Sequence, residues 1–148
     1  GVACGLGARG GQTKFRRRGV SSIGCGGGGM QVLVAARVGP GDCVGVISNS
    51  GRTRDLMDAC DIARKNGATT IVITATGSPL ANITKQAGHI HLAADHTEGY
   101  DRYSPMVSRL LHLMIIDILA TCLALRIGGK LQPLLTEMKN NLRNKRYA

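Results

Sequence analysis

The sequence has no tryptophan, one phenylalanine and three tyrosines in 148 residues. Its core must therefore be aliphatic, and it has few aromatic platforms on which nucleic-acid bases could stack. Acidic residues are scarce as well. Nine Asp and Glu stand against 19 Lys and Arg, a formal net charge of +10, and none precedes Asp42. This balance suits an anionic ligand or a polyanionic partner. The basic residues cluster at the two ends: Arg9, Lys14, Arg16, Arg17, Arg18 and Arg37 come before Asp42, and Lys139, Arg143, Lys145 and Arg146 close the chain. Such runs are either solvated surface or a direct nucleic-acid contact, and salt-sensitive DNA binding by the chain alone would mark the second.

Closely spaced cysteine pairs are also missing. Cys4, Cys25, Cys43, Cys60 and Cys122 are odd in number and form no CxxC, so zinc binding and dithiol redox chemistry are not indicated. They read as small buried hydrophobes in a reducing cytosol, which predicts a cytoplasmic location and no metal or cofactor. No signal-peptide pattern opens the sequence. The longest apolar stretch, residues 110–125, carries His112 and Asp117 and reads as too short to cross a bilayer. The length suits one domain with one core.

Glycine, by contrast, is abundant, and about half of the 21 fall within the first 29 residues, where hydrophobic periodicity is poor and no element is predicted. From residue 42 the pattern is regular. Cys43–Ile47 is an apolar strand after the turn Gly39-Pro40-Gly41-Asp42, and Thr69–Thr74 is a short β-branched strand buried on both faces. Between them, residues 51–66 form a helix with Leu56, Ala59, Cys60 and Ala63 on one face, supported by an Asp61/Lys65 pair and ended by Gly67. Ser78-Pro79 opens a short helix to about residue 87, and His89–Ala93 is a further strand. Ser104-Pro105 starts a long helix to about residue 126, apolar nearly all round and so covered on more than one side, either by the sheet and the last helix or by a second subunit; a final amphipathic helix spans 131–143. Alternating strands and helices predict an α/β fold, a doubly wound parallel sheet flanked by helices.

The loop Ser48-Asn49-Ser50-Gly51-Arg52-Thr53 joins a strand to a helix. It places three hydroxyls and unpaired backbone amides at a positive helix N-terminus, where an anion binds, and Gly51 lets the backbone approach it closely. In a parallel α/β sheet this is also the end at which ligands bind. The alternative is that Ser50 simply caps the helix.

These six residues resemble the Ser-x-Ser-Gly-x-Thr signature of the sugar isomerase (SIS) domain, which binds the phosphate of phosphosugars. The resemblance implies a flavodoxin-like three-layer sandwich, with phosphate contacts from Ser48, Ser50 and Thr53 and backbone amides from Asn49 and Gly51. The segments 41–53, 54–67 and Ser78-Pro79-Leu80-Ala81 are similar to the SIS regulators of the RpiR type. Tyr103-Ser104-Pro105-Met106-Val107-Ser108-Arg109 and Ile115-Ile116-Asp117-Ile118-Leu119-Ala120-Thr121 resemble the hex-regulon (HexR) repressors, which respond to 2-keto-3-deoxy-6-phosphogluconate. Gly5-Leu6-Gly7-Ala8 is similar to the family's first ligand loop, which adds Gly7 and Ala8 to the expected site, although Arg9 stands where the family has serine and residues 1–40 are atypical. Ser108 and Arg109 are candidates for a sugar-acid carboxylate, or alternatively for a surface or interface contact.

The resemblance implies an effector-binding domain whose phosphosugar or sugar-acid phosphate shifts DNA binding by an N-terminal helix-turn-helix domain. No helix-turn-helix pattern occurs here, so that domain is expected in a longer protein. A homodimer or higher homo-oligomer is expected, and no membrane partner. A phosphosugar isomerase is the competing function. Its base would come from Glu98, Asp101, His89, His91 or His96, none of which lies in a matching motif, and no catalytic residue is assigned. Gly5-x-Gly7-x-x-Gly10 matches a dinucleotide fingerprint but lacks the acidic residue that would hold the ribose.

Overall fold

The computed structural model describes residues 2–4, 15, 22–25, 28–97 and 106–130, with positions 133, 136, 137, 139–141 and 143. Among them are strands β1 (Val2–Cys4), β2 (Ile23–Cys25), β3 (Cys43–Ile47), β4 (Thr69–Thr74) and β5 (His89–Ala93). The helices are α1 (Gly28–Ala35), α2 (Arg54–Lys65), α3 (Pro79–Ile83) and α4 (Val107–Ile127), the last followed by a 3-10 turn at Gly128–Lys130. The three strands read from apolar patterning have the expected bounds. β1 and β2 lie where no element was expected. Each has only three residues and is defined by pairing: β1 runs parallel to both β2 and β3, so the sheet rather than a local pattern establishes it.

The sheet order is β2-β1-β3-β4-β5, and every pairing is parallel. This is the flavodoxin-like order, in which the winding direction reverses between β1 and β3. Alternation along the strands divides the core in two. Val44, Val46 and Val72 pack with Ala35, Leu56, Ala59, Cys60, Ala63 and Leu80 under α1, α2 and α3. On the opposite face Ile47, Ile73 and Leu92 meet Ile116, Leu119 and Phe15. The result is the expected three layers with an aliphatic interior.

α2 buries the four residues that its i, i+3, i+4, i+7 spacing places on one face. It begins at Arg54 rather than at 51, because the preceding residues form the loop described below. Gly67 ends it at φ +81°, and the amide of Ala68 donates to the Ala63 carbonyl at 3.0 Å. Asp61 pairs with Arg64 at 3.3 Å rather than with Lys65. α3 is shorter than expected and stops at Ile83, where the Thr84 hydroxyl and amide both turn back to the Ala81 carbonyl at 2.7 and 3.2 Å. The side chain of Ser78 caps α3 by accepting from the Ala81 amide, as its position before Pro79 predicts.

α4 departs from expectation in its apolar length. At 21 residues it is long and apolar enough to cross a membrane, unlike the 110–125 stretch by itself. It lies against the sheet, however, with Ser108, Ile116 and Ala120 buried. Among the described residues it is covered on one side, and Leu110, Leu113, Met114, Ile118 and Leu125 are exposed. Its expected start at Ser104-Pro105 lies outside the described residues; Met106 occupies the cap position. The described positions of the final 131–143 segment are helical.

The cysteines match their reading in part. Cys60 is fully buried, and burial, with a smaller effect of Asp61, pushes its thiol up to about 12, so it behaves as a hydrophobe. Cys43 is half-buried, with its thiol raised by burial, whereas Cys122 is exposed on α4.

Candidate functional site

The 48–53 loop leaves the carboxyl end of β3 and enters α2. Its first residue extends the sheet, with the Ser48 amide donating to the Ile73 carbonyl at 3.0 Å, which leaves Ser48 buried. The chain then turns sharply. The Ser48 Oγ accepts from the Gly51 amide at 3.1 Å, and the Ser50 Oγ accepts from the Arg52 amide at 3.4 Å.

Gly51 is the pivot of the turn, and no other residue fits there. Its φ is +61°, and a Cβ would lie 2.3 Å from the Ser78 Oγ and 2.6 Å from the Thr74 Oγ1. The Gly51 carbonyl accepts from the Leu80 amide at 3.0 Å, which ties the loop to the first turn of α3. Thr74 and Ser78 are themselves buried and 3.4 Å apart, so the loop rests on a polar floor. Neither was singled out for this role in the sequence.

Thr53, not Ser50, occupies the N-cap of α2, so the simple capping alternative for Ser50 does not hold. Its backbone is extended and its carbonyl accepts from the Met57 amide, yet its side chain makes no cap hydrogen bond. An N-cap threonine ordinarily bonds a first-turn amide. Here those amides and the helix dipole are left facing outward, which favours an anion. Arg52 is exposed at the same end, as is Asp55, whose negative charge also favours the helix N-terminus.

The histidines proposed as bases are placed in specific contacts. His89 Nδ1 lies 2.7 Å from the Thr70 Oγ1, and His91 Nε2 donates to the Thr74 carbonyl at 3.0 Å. Both brace β5 against β4. His96 Nε2 lies 2.5 Å from Asn49 Oδ1, within the phosphate-type loop. Beside it, the Asp95 carboxylate accepts from the Thr76 amide and hydroxyl at 2.7 and 2.6 Å, and those two bonds hold its carboxyl below the usual range. The sequence offered no signal for the His96 contact, because the partners are 47 positions apart.

Ser108 is buried in the first turn of α4, whereas Arg109 is exposed. Gly7, Ala8, Glu98 and Asp101 lie outside the described residues. No group of three or more His, Cys, Asp and Glu side chains arranged for a metal occurs among the described residues. An open apolar groove of about 520 Å³ lies away from the loop, along α4, between Leu110, Leu113, Met114, Asp117, Ile118 and Thr121.

Known proteins resemble this chain in sequence and in fold. Residues 13–122 match the SIS domain family. Over 118 residues the chain is 42% identical to the HTH-type transcriptional regulator HexR of Pseudomonas aeruginosa, a match that covers 80% of this chain and 40% of that protein. The chain thus spans well under half the length of this relative. Among solved structures, the Vibrio vulnificus NanR protein complexed with ManNAc-6P superposes with a TM-score of 0.80 at 21% identity, covering 97% of this chain and 55% of that one. The sugar isomerase domain of an RpiR transcription factor from Sphaerobacter thermophilus gives 0.72 at 20% identity, covering 94% and 76%. At these identities the two structures establish the shared fold.

Proposed function

The chain belongs to the SIS domain family, and from that premise we propose that it is the effector-binding domain of a transcriptional regulator of carbohydrate metabolism, holding a phosphorylated sugar or sugar acid at the 48–53 loop. The observation that carries this reading is an N-cap threonine that does not cap: Thr53 leaves the first-turn amides of α2 for a ligand, at the strand ends where this fold binds them. Ser48, Ser50 and Thr53 supply hydroxyls, and Gly51 gives the close approach. Gly7, Ala8, Ser108 and Arg109 complete the proposed contacts. The relative named HexR supports a regulator, and the NanR complex shows that a protein of this fold carries a phosphosugar. The resemblance to hex-regulon repressors favours 2-keto-3-deoxy-6-phosphogluconate as the effector. DNA contact then belongs to a helix-turn-helix domain of the same polypeptide, and the regulator works in the cytoplasm as a homodimer. The exposed apolar face of α4 supports the dimer.

The engagement of His89, His91, Asp95 and His96 in structural contacts favours a sensor over an isomerase. A thermal-shift screen with phosphorylated and unphosphorylated sugars and sugar acids tests the site. A ligand that binds only the folded state raises the midpoint. Phosphorylated compounds should raise it for the wild type and much less for Ser50→Ala. An equal response of both proteins, or none to any phosphate ester, defeats the assignment. Turnover of an aldose or ketose phosphate would instead favour the enzyme.

A further inference from the structure

Three side chains of the 48–53 loop share a pattern. Ser48 Oγ accepts from the Gly51 amide, Ser50 Oγ accepts from the Arg52 amide, and Asn49 Oδ1 lies 2.5 Å from His96 Nε2. In each case the acceptor atom is engaged inside the protein. A hydroxyl that accepts still has its own O–H to donate, and a carboxamide whose oxygen is occupied still has two N–H donors on its other side. The loop therefore presents donors, the complement of an anion. For the two serines the inward partner is a neighbouring backbone amide. For Asn49 it is a side chain from a different part of the fold.

That side chain is held in place. The Ala94 amide donates to the Thr74 carbonyl at 3.0 Å, which continues the sheet one residue beyond β5. Asp95 then binds the Thr76 amide and hydroxyl in the loop after β4. His96 follows directly and reaches the loop after β3. The chain leaving β5 thus crosses the ends of two neighbouring strands. With the Asn49 carboxamide oxygen as the acceptor, His96 is the tautomer that carries its proton on Nε2.

We propose that His96 is a positioning residue of the anion site: its Nε2–H fixes the Asn49 carboxamide so that the Asn49 N–H groups face an oxyanion ligand at the loop. This rests on the reading of the 48–53 loop as a phosphate site. It adds a ligand contact that the loop signature does not contain, from a side chain rather than a backbone amide. It also makes affinity depend on Ala94, Asp95 and His96, which leave the end of β5. The pKa of His112 on α4 is lowered first by burial and then by the charge of His96.

The test is a titration with inorganic phosphate, followed by loop amide shifts in ¹H–¹⁵N NMR spectra of the wild type and of Ser50→Ala, His96→Leu, His96→Gln, Asn49→Ala and the Asn49→Ala/His96→Leu double variant. Loss of the positioning bond should weaken binding by about tenfold in His96→Leu, the scale of one hydrogen bond. His96→Gln, which keeps an N–H donor, should recover most of that loss. The double variant should bind no more weakly than Asn49→Ala, because the two residues act as one unit. Wild-type affinity in His96→Leu, no recovery in His96→Gln, or multiplicative losses in the double variant would each overturn the role of His96. If those results came with weakened binding by Ser50→Ala, the phosphate loop itself would stand. No phosphate-dependent shift in the wild type would remove both.

Discussion

At the scale of single residues, the shape of the 48–53 loop depends on one glycine. Gly51 combines a left-handed φ of +61° with contacts too close for a Cβ against Thr74 and Ser78. Gly51→Ala should therefore lower unfolding free energy by on the order of 2 kcal/mol, adding backbone strain to displacement of the polar floor. Urea denaturation measures the loss. The same variant should show no thermal shift with phosphate esters; a stable variant with wild-type response would mean that the loop tolerates another shape. Ser48, Gly51 and Thr53 were legible in the sequence because their spacing is local. Thr74, Ser78 and His96 were not, because their approach to the loop is made by neighbouring strands rather than by neighbouring positions.

At the scale of elements, α4 shows what apolar patterning can and cannot tell. Its composition led to the expectation of cover on more than one side, by the sheet and the last helix or by a second subunit; among the described residues one side is covered, and Leu110, Leu113, Met114, Ile118 and Leu125 are exposed. His112 lies on this helix with its Nε2 buried and without a hydrogen-bond partner in the described structure. Burial, and then His96, lowers its pKa below the ordinary histidine value of about 6.5. Between the two values the unfolded chain binds a proton that the folded chain does not. Stability should therefore fall as pH drops from about 6.5 towards the folded-state value, and be level in this contribution above and below that window. Thermal midpoints at pH 7.5 and 5.5 should show the fall, and His112→Leu should reduce it. An unchanged difference in that variant would assign the acid sensitivity to other groups. Asp95 acts in a separate, lower range: its depressed carboxyl stabilises the fold above the ordinary aspartate value of about 3.9, and the contribution is lost as pH falls through its folded-state value.

At the scale of the whole molecule, the exposed apolar face of α4 is the feature on which the proposed dimer rests. An open apolar groove runs along this face between Leu110, Leu113, Met114 and Ile118. A second copy is the proposed occupant, because a helix face shared across a two-fold axis is self-complementary. Leu113→Asp together with Ile118→Asp should convert a dimer to a monomer by multi-angle light scattering. The 48–53 loop lies elsewhere on the fold, so phosphate binding by the monomer would show that the loop needs no partner, and its loss would show that the two sites are linked. A wild type that is monomeric throughout would contradict the proposed dimer.

The sequence by itself determined what depends on contiguous residues: the bounds of β3, β4 and β5, the buried face of α2, the end of α2 at Gly67 and the hydroxyl loop before it. These are short-range periodicities and turn preferences, and burial on one face leaves a readable trace at such spacing. Only the tertiary structure decided the rest. β1 and β2 exist through pairing, three residues each, with no pattern long enough to announce them. The Gly51 turn has its shape because β4 delivers Thr74 and α3 delivers Ser78 beneath it. Asn49 has its orientation because β5 ends where His96 can reach across two strands. Parallel strands joined by helices bring together residues that are distant along the chain, and the chemistry at the strand ends is assembled from them.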